Sequence, residues 1–369
     1  MEMKIAYYFE QAKDPRVKGR CDHLLSDILV VAICTYITGG DDYQSMYLFG
    51  KERGEQLKGS LLEFPNGAPS ADTYRRVFVL LEPETLKECL NMYGKEILDC
   101  LSEKQIIIDG KKLRGVSPTS KGNAGCYILN AWVGENRFCA GQEKVDDKSN
   151  EITAIPKVLA GLDIEDAVVS IDAIGTQTEI ARQIRDQQGH YLLSVKGNQQ
   201  GLLDDMACAF KTHHGYDRVE KTEKGHGRVE TRECSILPAK DFLMEENLKR
   251  WKDVSTLVKI DASRVIKGVQ TRETRYYISD ENITKASYFQ DLVRGHWGIE
   301  NQLHWHLDVT FNEDKCRART GYAPQNLTTV RKLALQIISN AGDKLSLKKR
   351  QYKAALDSDY MIKLIKEAD

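Results

Sequence analysis

Three acidic residues are placed for metal-assisted phosphoryl transfer. Asp109 follows the apolar run Ile106-Ile107-Ile108, Asp172 follows Ala167-Val168-Val169-Ser170-Ile171, and Glu300 lies in a later helical stretch. A buried strand that ends on a carboxylate and passes at once into Gly110, or into Ala173-Ile174-Gly175, breaks its pattern where a ligand can reach the backbone. Hard divalent cations take such oxygen ligands. If the two aspartates end neighbouring strands and the glutamate sits on a helix beside the sheet, bound ions can activate a water or a 3′-hydroxyl and stabilise the oxygen leaving phosphorus. The competing reading makes Asp109 and Asp172 ordinary turn residues. His296, Glu300, His304 and Asp308 also share one face at helical spacing, which a transition metal could use.

The elements that must position these acids follow from periodicity. Leu24 to Ile33 recurs at helix spacing behind Asp22, Ser70 is a good N-cap for a helix to Leu81, and Glu84 to Leu101 is amphipathic after Pro83. Residues 1–103 therefore read as an all-helical N-terminal domain. From Gln105 the texture changes to strands at 105–109, 126–133 and 137–145, the last two joined through Gly134-Glu135-Asn136. A helix at 150–160, a strand at 167–172, a helix at 178–187 and a strand at 190–195 follow. That order predicts an α/β fold, a ribonuclease H-like mixed sheet flanked by helices, with the aspartates on its first and fourth strands. A β-rich insertion spans about 200–282 within a catalytic domain of 104–342. A basic helical tail, 343–369, closes the chain.

Composition allows a sizeable core: 369 residues, 41% hydrophobic and 29% charged. Nine scattered cysteines include no Cys-x-x-Cys pair, so neither a disulfide framework nor a zinc ribbon is indicated. No run reaches the roughly 18 apolar residues of a membrane helix, and the start lacks the layout of a secretory signal, so a cytoplasmic protein with no membrane partner is expected. With 53 basic and 54 acidic residues, nucleic-acid contacts must be local. Lys111, Lys112, Arg114 and Lys121 form one acid-free run, and Lys344, Lys348, Lys349, Arg350 and Lys353 form a second that reads as a solvated face. Lys196 and Asn198, in Val195-Lys196-Gly197-Asn198-Gln199, could hold a phosphate beside the second aspartate. Gly225-His226-Gly227-Arg228 reads as a hairpin turn, and Trp297 and Trp305 read as core.

Together these motifs resemble the DDE transposases of bacterial insertion sequences, in the group that includes the H-repeat-associated proteins. The resemblance rests on Ile107-Ile108-Asp109-Gly110-Lys111, Ser170 to Gln177, Val195 to Gln199 and His296-Trp297-Gly298-Ile299-Glu300. Asp14-Pro15-Arg16, Asp22-His23-Leu24-Leu25 and Gly67 to Thr73 resemble the associated N-terminal domain, and Asn312 to Arg319 with Pro324-Gln325-Asn326-Leu327 extends the match. It implies Asp109, Asp172 and Glu300 as catalytic Mg²⁺ ligands, with Mn²⁺ able to substitute. The partners implied are double-stranded DNA, as transposon ends and target, and a second protomer in a synaptic complex, with nucleoid association when DNA is bound. A larger related group carries a tyrosine, arginine, glutamate, lysine signature around this glutamate. Here those slots hold Val293, His296 and Leu307, so Arg294 or His296 is the candidate phosphate contact and a hairpin-forming step is left open. Two alternatives stand beside this reading: a catalytically silent DNA-binding relic, and a stand-alone metal-dependent nuclease of the same fold.

Overall fold

The computed structural model describes residues 7, 9–17, 19–99, 105–116, 126–145, 151–225, 227–282 and 284–366. Two compact units are built from interleaved segments: Ser102–Asp109 with Ser149–Ile299, and Met1–Leu101 with Gly110–Lys148 and Glu300–Asp369.

In the first of these units, strand β1 (Gln105–Lys112) runs parallel to β4 (Val168–Ile171), and β4 runs parallel to β5 (His190–Val195). The registers Ile108↔Ile171 and Ile171↔Leu193 align the three strands. All four residues of β4 are buried, as continuous apolar runs with both faces covered should be. The insertion extends this sheet. Four antiparallel strands, β6 (Asp217–Gly225), β7 (Arg228–Pro238), β8 (Thr256–Ile266) and β9 (Val269–Ser279), form a meander whose last strand pairs with β5 through Leu193↔Ile278. The helix at Ala286–His296 buries Ala286, Phe289 and Val293 in one core with Val168, Leu192, Cys234, Ile236, Val258, Ile260 and Tyr277. Strand β6 was not legible in the sequence because it is almost wholly polar and largely exposed, as edge strands commonly are.

In the other unit, β2 (Tyr127–Val133) and β3 (Phe138–Val145) form an antiparallel hairpin, with β2 next to β1. The parallel strands β1, β4 and β5 with the antiparallel meander are the mixed, helix-flanked sheet expected of a ribonuclease H-like fold. Helix α1 (Leu25–Ile37) buries nearly every residue, so it lacks a solvent face. Its neighbours are α2 (Tyr43–Leu57) and the equally buried helix at Ala323–Ser339. Ser70 caps its helix by accepting from Thr73 N at 3.2 Å, as its position predicts. Asp27 accepts from Glu63 N at 3.0 Å and Phe64 N at 2.8 Å, fixing a loop in which Phe64 has φ of 51°. The C-terminal tail is helical at Leu347–Leu356 and Ser358–Lys366, but Arg350 is buried and paired with Asp343 at 2.8 Å rather than solvated.

Candidate active site

Asp109 and Asp172 each follow the last paired residues of their strands, Ile108 and Ile171. The two carboxylates therefore leave adjacent strands at one level, where backbones are roughly 5 Å apart. Both side chains are half-buried. The strand does not end at Asp109, however. It continues to Lys112, and a Cβ at Gly110 would lie 2.3 Å from the Tyr127 ring, so the glycine leaves room for that side chain. Likewise, a Cβ on Gly175 would meet Ile171 at 2.3 Å and Ile155 at 2.6 Å.

Asp172 caps a short 3₁₀ turn at Ala173–Gly175, accepting from Ile174 N at 3.2 Å and Gly175 N at 3.5 Å. A brace of side chains holds this turn. Asn198 Nδ2 donates to Ala173 O at 2.6 Å, Gln199 Nε2 to Thr176 O at 2.9 Å, and Thr176 Oγ1 to Ser194 O at 2.5 Å. The amide nitrogen of Asn198, expected to meet phosphate, is thus engaged in shaping the aspartate turn, while Lys196 beside it is exposed.

The end of the helix at Ala286–His296 is fixed to the sheet. Gln105 Nε2 donates to Ser170 Oγ at 3.1 Å and Leu292 O at 2.8 Å, and His296 Nδ1 lies 3.1 Å from the same Ser170 Oγ. Arg294 is exposed and pairs with Glu223 at 2.9 Å. Trp297, read as core from its type, is 44% exposed under the Arg275 guanidinium at 4.1 Å from the ring centroid.

Glu300 opens a π-helical turn, Glu300–His304, followed by another at His306–Thr310. The helical stretch expected to carry Glu300 is therefore not a regular α-helix. Ile299, Leu303, Leu307 and Phe311 are all buried at a spacing of four. An ordinary helix advances about 40° too far in each such step, and wider i→i+5 turns keep the row facing inward. Of the four residues expected to share a face, Glu300 and His304 meet, while Asp308 is paired with Lys111 and His296 lies against Ser170. Glu300 is exposed, and His304, nearly buried, brings Nδ1 within 3.6 Å of its carboxylate. Trp305, also read as core, is 52% exposed.

Lys111 departs furthest from its expected role. It is 8% exposed, and its ammonium sits 2.5 Å from Asp308 and 2.6 Å from Glu313. Burial alone would lower its pKa, but the two carboxylates outweigh that and raise it. Glu313 is 2% exposed; desolvation would raise its pKa, yet Lys111, Arg331 and Lys332 hold it down. A charge neutralised inside the protein is not available to a DNA phosphate. Lys112 and Arg114 are exposed, Arg114 with only a loose 3.9 Å approach to Asp314, and Lys121 lies outside the described residues.

The chain matches two family descriptions in sequence: "DDE_Tnp_1-associated" over residues 6–93 and "Transposase DDE domain" over residues 101–337. The second covers more than half of its length. The chain belongs to the H-repeat-associated DDE transposase family of bacterial insertion sequences. It is 34% identical over 377 residues to "H repeat-associated putative transposase YhhI" of Escherichia coli strain K12, covering 99% of this chain and 98% of that protein. It is 35% identical over 366 residues to "Putative transposase YncI" of E. coli O157:H7, covering 96% and 92%. A third relative, "H repeat-associated putative transposase YbfD" of strain K12, is 33% identical over 250 residues, or 66% of this chain and 98% of its own length. This transposase has, among its described residues, no helix long and apolar enough to cross a membrane.

Proposed function

We propose that this DDE transposase cuts and joins DNA with Asp109, Asp172 and Glu300 as the ligands of divalent cations. The paired strands that release both aspartates at one level carry the proposal. The donor chemistry fits: carboxylate oxygens suit Mg²⁺, which keeps several waters and takes only one or two carboxylates per ion. His304, whose Nδ1 lies 3.6 Å from the Glu300 carboxylate, could share an ion with it. His304 would add a nitrogen donor, which Mn²⁺ tolerates better than Mg²⁺. When bound, the ions supply an activated water or 3′-hydroxyl and neutralise charge on the departing oxygen.

The chain's own residues set the geometry. The turn braced by Asn198, Gln199 and Thr176 holds Asp172, and the β1–β4 register sets Asp109 beside it. Lys112, Arg114, Lys196, Arg294 and His296 are the proposed contacts to DNA, with Lys111 supporting the fold beneath Lys112. The substrate proposed is double-stranded DNA, first an element end and then a target, with two protomers bringing two ends together. The test is incubation of purified protein with Mg²⁺ and DNA carrying the inverted repeats that flank its gene. Wild type should nick the ends and join them to target. Cleavage without joining would instead favour a nuclease, and cleavage undiminished in Asp109→Ala or Glu300→Ala would remove that residue from the site.

A further inference from the structure

The unit that contains the N-terminal helices carries a cavity of about 440 Å³ lined by Tyr43, Val79, Leu327, Lys315, Arg317 and Arg319, among others. That volume suits a small organic ligand, for which sites of roughly 300–1,000 Å³ are usual. Two chemistries meet in it. Tyr43, Val79 and Leu327 offer an aromatic and aliphatic surface, while Lys315, Arg317 and Arg319 are exposed cations without an ion pair among the described residues. The acids in the lining are already engaged: Asp41 accepts from Asn312 Nδ2 at 3.1 Å, and Asp42 caps α2 through Ser45 N at 2.7 Å. Those hydrogen bonds leave both carboxylates charged, and the lining sets four cations, Arg75, Lys315, Arg317 and Arg319, against these two acids.

The segment that supplies the cations is fixed in place. Asn312 adopts φ of 53°, and Glu313 is anchored by Lys111 and by Thr328 Oγ1 at 2.9 Å. Arg317 Nη1 donates to Gly115 O at 3.1 Å, and Arg319 donates to the same oxygen at 3.2 and 3.3 Å. Preorganised donors give up little entropy on binding. The Tyr43 hydroxyl is buried and has no hydrogen-bond partner among the described residues. Such a group is unfavourable until a ligand completes it.

We propose that this cavity receives a single unpaired nucleotide of the DNA substrate. The base lies against Tyr43, Val79 and Leu327 with a polar edge on the Tyr43 hydroxyl, and its phosphates meet Lys315, Arg317 and Arg319. An already unpaired base costs little to extrude, so the cavity would select for it. This rests on the reading of the chain as a DNA transposase.

The test uses the full chain in EDTA, so that no strand is cut. Fluorescence anisotropy compares a blunt duplex from the element end with duplexes carrying one unpaired nucleotide at successive positions, 2-aminopurine marking that nucleotide. At one position the affinity should rise about tenfold, with a change in 2-aminopurine emission. Tyr43→Phe and Lys315→Glu should each remove that preference while binding the blunt duplex within about twofold. Tyr43→Phe should also leave the melting temperature unchanged or raised, since it deletes an unsatisfied hydroxyl. Equal affinity for all duplexes, or a preference that survives both substitutions, overturns the assignment to this cavity. Binding of a free deoxynucleoside monophosphate with no preference among duplexes overturns it in favour of a soluble nucleotide. Failure to bind any duplex would count against the DNA reading itself.

Discussion

The Lys111 ammonium lies 2.6 Å from a Glu313 carboxylate that is only 2% exposed, joining a catalytic-domain strand to the loop after Glu300. A buried pair of this kind is costly to break, because the surviving partner is left charged and unsolvated. Lys111→Met should therefore destabilise the protein by about 3–5 kcal/mol in urea unfolding. A variant as stable as wild type would show that the ion pair is not what holds this loop.

The same pair sets a pH dependence. Despite burial, the Glu313 pKa lies below its ordinary value of 4.5 because Lys111, Arg331 and Lys332 surround it. The unfolded chain then binds more protons as pH falls through and below that range, and stability falls with it. Lys111 has a pKa above its ordinary 10.5, so its contribution is lost only as pH rises beyond that value. Thermal melts of Glu313→Gln against wild type should show a shallower decline on the acid side and a lower plateau at neutral pH. A wild-type acid limb retained in full by the variant would assign it to other carboxylates.

Much of the catalytic architecture could be read from the chain because it depends on short-range patterns. The runs before Asp109 and Asp172 are apolar but for Ser170, and β5 was expected at the bounds it adopts, His190–Val195. What escaped the sequence depends on partners far along it. Lys111 looked like one cation in a basic run, yet Asp308 and Glu313, 197 and 202 positions later, determine its role. The π turns after Glu300 follow from a four-residue apolar row that a helix can follow only by widening. Charged β6 satisfies its backbone at a sheet edge without an apolar pattern to announce it.

Gly115 marks a backbone contact that a side chain would break. A Cβ there would lie 2.4 Å from Asp314 O and 2.5 Å from Cys316 O. Those are main-chain atoms, so relief requires moving the loop that carries Lys315 and Arg317. Gly115→Ala should cost about 1–3 kcal/mol, as overpacked sites do. A variant as stable as wild type would mean that this loop yields freely.

Salt dependence can separate surface cations from buried ones. Lys112 and Arg114 are exposed, so each phosphate contact they make should contribute roughly 0.9 to the slope of log K against log salt. The double variant Lys112→Ala/Arg114→Ala should flatten the slope by up to about 1.8. Lys111→Met, measured where it remains folded, should leave the slope unchanged. A reduced slope in that variant would show that Lys111 reaches DNA despite its carboxylate partners.

Asp172 has two separable roles. Its carboxylate caps the Ala173–Gly175 turn through Ile174 N and Gly175 N, and the proposed chemistry also needs its negative charge on a metal ion. Asn retains an oxygen that can accept both bonds and is as good a cap as Asp, so Asp172→Asn should fold within about 0.5 kcal/mol of wild type. Asp172→Ala loses the cap as well and should fall by about 1 kcal/mol. If the residue acts only by shaping the turn, the Asn variant keeps its activity and the Ala variant loses part of it. If it holds the cation, both lose end cleavage by on the order of 10²–10³-fold or more, the scale of removing one preorganised electrostatic group. Measuring cleavage rate and unfolding free energy on the same two proteins decides between them, and a folded, fully active Asp172→Asn would remove Asp172 from the metal site.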